Sequence, residues 1–277
     1  MTYKQIALRD INQKLPQTAY EPLLQCYLHG ISPEIDPARR YPALLICPGG
    51  GYEFTSDREA EPVALRFFAE GFNVFVLRYS CAPARYPTQL LEAAAAVCYI
   101  RTAEECLCSG QVFVCGFSAG GHLACSVSVL WDEPSVSEML GNTSGNKRPD
   151  GMLLCYPVIT ANEGRHEGSF FNLLGPSHTP ELLQKVSLEK AVDDRTPPAF
   201  IWHTADDAVV PVRNALTLSQ SMTESGIPVE LHIFPAGVHG LSMCDASSSS
   251  PDAPQFTSAV CAQWIPLALT WLKSRLN

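Results

Sequence analysis

Charge is scarce in this chain. Only 17% of its 277 residues are charged, and 19 lysines and arginines stand against 28 aspartates and glutamates, a net of −9. With no basic run to neutralise phosphates, nucleic acid and anionic lipid are not expected partners. Long apolar runs are also missing, and no stretch approaches the ~18 residues of a membrane span. The first ten residues, MTYKQIALRD, lack the apolar core of a secretory signal, so the expected location is cytoplasmic. Metal-ligand spacing is absent as well. Cys106 and Cys108 are separated by a single residue, which fits neither a zinc knuckle nor a redox pair, and no metal is expected. Apolar residues, by contrast, make up 46% of the chain, enough for a full-sized core. That excludes disordered, collagen-like and small disulfide-stapled classes.

Cysteine is the unexpected abundance. Eleven is an odd number, so complete pairing within the chain is impossible. Cys47, Cys115 and Cys155 sit in apolar, strand-like runs, where a free thiol behaves as a small hydrophobe. Reduced, structural thiols are the expectation. Asn142-Thr143-Ser144 matches a glycosylation pattern but reads as chance without a secretory signal.

Short apolar runs alternate with longer helix-like ones. Leu24–Leu28, Ala43–Cys47, Phe72–Leu77, Val112–Cys115, Gly151–Cys155, Ala199–His203 and Val229–Phe234 read as strands. Pro87–Leu107, Ala119–Leu130, Val210–Gly226 and Pro254–Leu276 read as helices. Strands that are apolar throughout, separated by helices, predict an α/β fold with a mainly parallel sheet covered on both faces. No linker splits the chain, so residues 1–277 are expected to form a single domain. Residues 160–191 break the alternation and read as a short cap-like insertion, with aromatics at Phe170 and Phe171. Ala246–Pro254, with four consecutive serines and two prolines, reads as a mobile surface loop.

Gly116-Phe117-Ser118-Ala119-Gly120 is G-x-S-x-G. The motif alone is weak. Its setting strengthens it, because a strand leads in and a helix leads out, as in a nucleophile elbow. The sharp turn demands small neighbours, and the helix N-terminus offers N–H groups to a developing oxyanion. The plain alternative is a glycine-rich turn with an idle serine. Pro48-Gly49-Gly50-Gly51-Tyr52 follows an earlier strand, where related hydrolases place an oxyanion loop. Gly50, Gly51 and Ala119 are the expected N–H donors. A phosphate loop would need a Gly-Lys-Ser/Thr ending, which this stretch lacks. Tyr52 and His122 are candidates for the substrate wall.

Of seven histidines, His239 follows the last strand and fits the chain order Ser…Asp…His, which makes it the expected base. His203 and His232 lie in strands, and His29, His166 and His178 lie in turns or in the insertion. The orienting acid should follow Ala199–Thr204, where Asp206 and Asp207 are adjacent. The spacing Asp-x-x-Val-Pro favours Asp207, with Asp206 the alternative. Either acid could instead cap the helix that follows.

Together these segments resemble α/β-hydrolases of the esterase/lipase type. More narrowly, they resemble the bacterial acetyl-xylan-esterase-like group, the bifunctional feruloyl/acetyl-xylan esterase-like proteins. The resemblance rests on Pro48–Tyr52, Leu77–Tyr79, Gly116–Leu123, Trp202–Asp207 with Val210-Pro211, and His232–Pro235 leading to His239-Gly240-Leu241. It spans roughly residues 22–275. Pro48 stands where the hormone-sensitive-lipase-like branch carries histidine, so that branch's substrates are not implied. The resemblance implies an α/β-hydrolase fold and a serine esterase acting on short acyl esters, acetylated sugars among them. Ser118, Asp207 and His239 would form the triad, with no cofactor. The expected partner is a small-molecule ester, and a homodimer is left open. Two other readings stay open: a prolyl-oligopeptidase-like serine peptidase, against which stands the lack of a propeller-sized preceding domain, and a non-catalytic binding protein on the same fold.

Overall fold

The computed structural model describes residues 1–141 and 147–276. Asn142-Thr143-Ser144 lies outside the described residues. Eight strands form one sheet: β1 (Thr2–Ala7), β2 (Leu23–Leu28), β3 (Tyr41–Cys47), β4 (Asn73–Arg78), β5 (Cys108–Phe117), β6 (Gly151–Cys155), β7 (Ala199–Thr204) and β8 (Val229–Phe234). Their spatial order is β1-β2-β4-β3-β5-β6-β7-β8. From β4 to β8 all neighbours pair in parallel, and β2 runs antiparallel to both β1 and β4. The helices are α1 (Leu8–Ile11), α2 (Glu61–Phe68), α3 (Thr88–Thr102), α4 (Ala119–Val129), α5 (Pro134–Leu140), α6 (Glu167–Leu174), α7 (Pro180–Lys185), α8 (Arg213–Glu224) and α9 (Trp264–Lys273). This is the α/β-hydrolase architecture. Among the described residues, no helix is long and apolar enough to cross a membrane.

The continuous apolar runs of the central strands have a direct cause. Successive side chains of a strand point to opposite faces, and both faces are covered. Leu45, Val114, Leu154 and Ile201 pack toward a core shared with α3, α4 and α8. Their neighbours Leu44, Phe113, Leu153, Phe200 and Trp202 enter a second core with Phe67 of α2 and with Trp264 and Trp271 of α9. Trp202 and Trp264 stack there with ring centres 5.5 Å apart.

Three features differ from the sequence expectation. β1 was not anticipated; its pattern of exposed and half-buried side chains marks an edge strand held through its ladder to β2 rather than by burial. The helix expected over Pro254–Leu276 is confined to Trp264–Lys273, preceded by two short 3₁₀ turns. Pro266 explains the start. A proline is tolerated in the first turn, where its missing N–H costs nothing, but breaks a helix interior. The Ser-rich loop is not loose. The Arg58 Nε donates to the Ser248 carbonyl at 3.0 Å, and the Ser248 hydroxyl accepts from Met243 N–H at 3.1 Å.

Candidate active site

Four loops at the C-terminal ends of β3, β5, β7 and β8 meet above the sheet, where parallel α/β proteins build their sites. Ser118 sits between β5 and α4 at φ 52°, ψ −119°. This is a strained conformation that only close packing sustains. Its N–H donates to the Cys155 carbonyl on the neighbouring strand at 3.0 Å, and its carbonyl accepts from His122 and Val158. The two motif glycines are forced by backbone contact. A Cβ on Gly116 would lie 2.2 Å from the Gly120 carbonyl oxygen, and one on Gly120 would lie 2.1 Å from that of Cys47. No side chain fits in either space.

The Ser118 hydroxyl donates to His239 Nε2 at 2.7 Å, and His239 Nδ1 donates to Asp207 Oδ2 at 2.7 Å. A carboxylate only accepts, so the imidazole proton sits on Nδ1 and Nε2 is free to take the serine proton. Asp207 Oδ1 accepts from the N–H groups of Val209 and Val210, both at 2.9 Å. Burial works to raise the Asp207 carboxyl. The hydrogen bonds from His203 and His239, the His239 charge and the Val210 N–H outweigh it, and the carboxyl is held far below the usual range. Asp206 points elsewhere, accepting from Gly237 N–H at 2.8 Å and thereby holding the loop that carries His239.

Gly50 and Gly51 line the same cleft as Ser118 and His239. Gly50 adopts φ 125°, and a Cβ there would strike the Phe54 carbonyl at 2.2 Å. Among the described residues, no acceptor engages the N–H groups of Gly50, Gly51 or Ala119. Unpaired donors beside a nucleophile are what an oxyanion hole requires.

Tyr52 and His122 do not form the substrate wall expected of them. Both are buried behind the oxyanion loop at 1% exposure. His122 Nε2 donates to the Val186 carbonyl at 2.9 Å, so its Nδ1 is the acceptor for the Tyr52 hydroxyl at 2.8 Å. The Tyr52 hydroxyl is thus turned away from the cleft. Burial drives the His122 pKa down to about 4, which keeps the pair neutral. A histidine four residues beyond the nucleophile lies one turn down α4, under the loop rather than in front of it.

Several contributors were not visible in the sequence. Glu59, 4% exposed, accepts from Gly49 N–H and from the Tyr156 hydroxyl, both at 2.7 Å. The Tyr156 hydroxyl in turn accepts from Ser242 N–H at 2.9 Å, joining the oxyanion loop to the histidine loop. The Arg58 guanidinium donates to the Gly240 carbonyl and lies over the Phe256 ring. His203 Nε2 donates to the Val210 carbonyl at 2.9 Å and lies 3.3 Å from Asp207 Oδ2. His166, from the insertion, lines the cleft. Only the four-residue step from His203 to Asp207 left a trace in the sequence; the contacts of Tyr156 with Glu59 and Ser242 and of Arg58 with Gly240 cross long stretches of chain.

The cleft encloses about 340 Å³ and is open to solvent, with Phe54, Val209 and Phe256 on its rim. A larger hollow of about 610 Å³ beside α2, bordered by Asp57, Arg78 and Ser247, holds no serine–histidine pair.

Residues 32–222 match the BD-FAE family. The chain belongs to that family. It is 37% identical over 235 residues to endo-1,4-beta-xylanase B of Butyrivibrio fibrisolvens, covering 81% of this chain and 35% of that protein. It is 30% identical to an acetylxylan esterase of Xylanibacter ruminicola, covering 72% of this chain and 40% of that one. This BD-FAE chain therefore spans only about a third to two-fifths of the length of these two relatives. Solved structures match end to end. The acetyl ester-xyloside bifunctional hydrolase of Caldicellulosiruptor lactoaceticus superposes with a TM-score of 0.83 at 33% identity, covering 98% of this chain and 96% of that one. The Lactobacillus plantarum carboxylesterase Cest-2923 gives 0.82 at 26% identity, covering 99% and 98%.

Proposed function

We propose that the protein is a serine carboxylic-ester hydrolase acting on short-chain acyl esters, with acetyl groups on sugars the favoured class. One observation carries the reading: the Ser118–His239–Asp207 relay, closed by two 2.7 Å hydrogen bonds at a strained elbow beside unpaired N–H groups. Ser118 Oγ attacks the acyl carbonyl as His239 Nε2 takes its proton. The oxyanion moves toward the N–H groups of Gly50, Gly51 and Ala119. His239 then returns the proton to the departing alcohol, and water, activated by the same histidine, releases the acid. Asp207 keeps the imidazole in the tautomer this sequence needs and stabilises the imidazolium.

The acetyl preference is supported by the similarity to an acetylxylan esterase and to an acetyl ester-xyloside bifunctional hydrolase, and by the small, open cleft. The chain would work as one domain in the cytoplasm, where its eleven free thiols would remain reduced.

The test is Ser118→Ala. The variant is expected to unfold at the wild-type temperature, to lose labelling by a fluorophosphonate probe, and to fall in kcat on p-nitrophenyl acetate by about 10⁴-fold or more. Near wild-type turnover would overturn the reading.

A further inference from the structure

His166 stands apart from the relay yet shares its cleft. It is the residue immediately before α6, and its ring caps that helix: Nδ1 accepts from Ser169 N–H at 3.2 Å and lies 2.8 Å from the Ser169 hydroxyl. An imidazole nitrogen that accepts a backbone N–H carries no proton of its own. In the neutral ring the proton therefore resides on Nε2. Among the described residues no acceptor is bonded to His166 Nε2. The ring thus presents a fixed N–H donor at the cleft, oriented by a helix rather than by a mobile loop.

Its place on the reaction path follows from its neighbours. The carbonyl oxygen of a bound ester turns toward Gly50, Gly51 and Ala119. The alkoxy oxygen turns toward His239, which must protonate it. His166 lines the cleft together with Ser118 and His239. Val209 and Gly240, which follow Asp207 and His239 in the chain, line it as well.

We infer that His166 Nε2–H is a specificity-determining hydrogen-bond donor to the departing alcohol, selecting esters whose alcohol carries a second hydroxyl next to the esterified one. The inference rests on the ester-hydrolase reading and adds a residue from the insertion to it. The hydroxyl accepts from Nε2–H while the neighbouring ester oxygen faces His239, so the donor contributes only when both oxygens are present.

Two substitutions separate the donor from the cap. His166→Asn keeps an oxygen near the Nδ1 position, where asparagine is itself a good N-cap, but has nothing at Nε2. His166→Gln places its amide nitrogen near Nε2 and gives up the cap. Wild type and both variants are assayed on p-nitrophenyl acetate, ethyl acetate and glycerol monoacetate, with melting temperatures measured in parallel. In H166N, kcat/KM for glycerol monoacetate relative to ethyl acetate is expected to fall about tenfold, mainly through KM, as for the loss of one hydrogen bond. H166Q is expected to restore most of that ratio despite a lower melting temperature. An unchanged ratio in H166N overturns the proposal, as does an equal loss in both variants or on all three esters. If H166N does not fold, a fall of the same ratio by about tenfold in H166Q overturns it as well. Failure of the wild type on p-nitrophenyl acetate would instead strike at the ester-hydrolase reading.

Discussion

Asp206 and Asp207 are neighbours in the chain with different tasks. Asp207 holds the imidazole, and Asp206 holds the Gly237 backbone. Asp207→Asn is expected to lower kcat by about 10⁴-fold, because an amide nitrogen facing Nδ1 favours the wrong tautomer. Asp206→Asn should stay within about tenfold of wild type, since its amide oxygen still accepts from Gly237. Side-by-side kinetics of the two variants check this. The Asp207 carboxyl also carries a pH signature. Its folded pKa lies below its unfolded one, so its contribution to stability is present above the ordinary carboxylate value of about 3.9 and fades only as pH falls toward the folded value.

Within the elements, α3 carries a buried acid that the chemistry does not use. Glu92 is fully buried and accepts from the Ser80 N–H at 2.8 Å and the Ser80 hydroxyl at 2.5 Å. Burial pushes its pKa up to about 7. The folded state therefore holds this proton where the unfolded chain has lost it. Stability is fully present below about 4.5 and falls as pH rises to about 7, by about 3 kcal/mol. Glu92→Gln should remove that slope, giving a variant more stable than wild type at pH 8 and close to it at pH 5, as measured by urea unfolding. The elbow allows no such exchange. Gly120→Ala forces a methyl into the Cys47 and Pro48 carbonyls, and a loss of about 3 kcal/mol or more, or failure to fold, is expected in the same assay. These are also the elements the sequence displayed best. A glycine demanded by backbone contact and a nucleophile at a strand-to-helix turn are local facts, so Gly116–Gly120 announced their geometry. Glu59 and Arg58 did not, because Tyr156 and Gly240 lie far away in the chain, and nothing in the sequence says that the histidine capping α6 lines the cleft. Tyr52 and His122 misled for the same reason: closeness to a motif says nothing about which way a side chain turns.

Across the whole molecule, the cysteines follow the two cores. Eight are buried, and Cys81, Cys98 and Cys108 are partly exposed. Burial pushes Cys26, Cys81 and Cys106 up to about 12 and raises Cys98 and Cys108 as well. A disulfide reagent attacked by thiolate should react slowly with at most those three partly exposed thiols in the native protein. In denaturant it should react promptly with all eleven. Rapid native reaction of more than three would contradict the packing. The parallel sheet, its covered faces and the chain order of the site were legible because each left a run of apolar residues or a punctuating glycine. The edge strand β1 and the true start of α9 were less so, since a half-exposed ladder and a short 3₁₀ turn leave little pattern in composition.

The loop that carries His239 is secured by segments from distant parts of the chain. Arg58 and Glu59 act from the region before α2, the latter through Tyr156, and the Trp264 indole of α9 donates to the Ser242 carbonyl at 2.9 Å. During translation, Ser118 and its elbow emerge well before α9 does. A nascent chain that has already made the nucleophile still lacks the anchor that seats its base. The seat of His239 is thus completed only after Trp264 has been made, well after the elbow that carries Ser118.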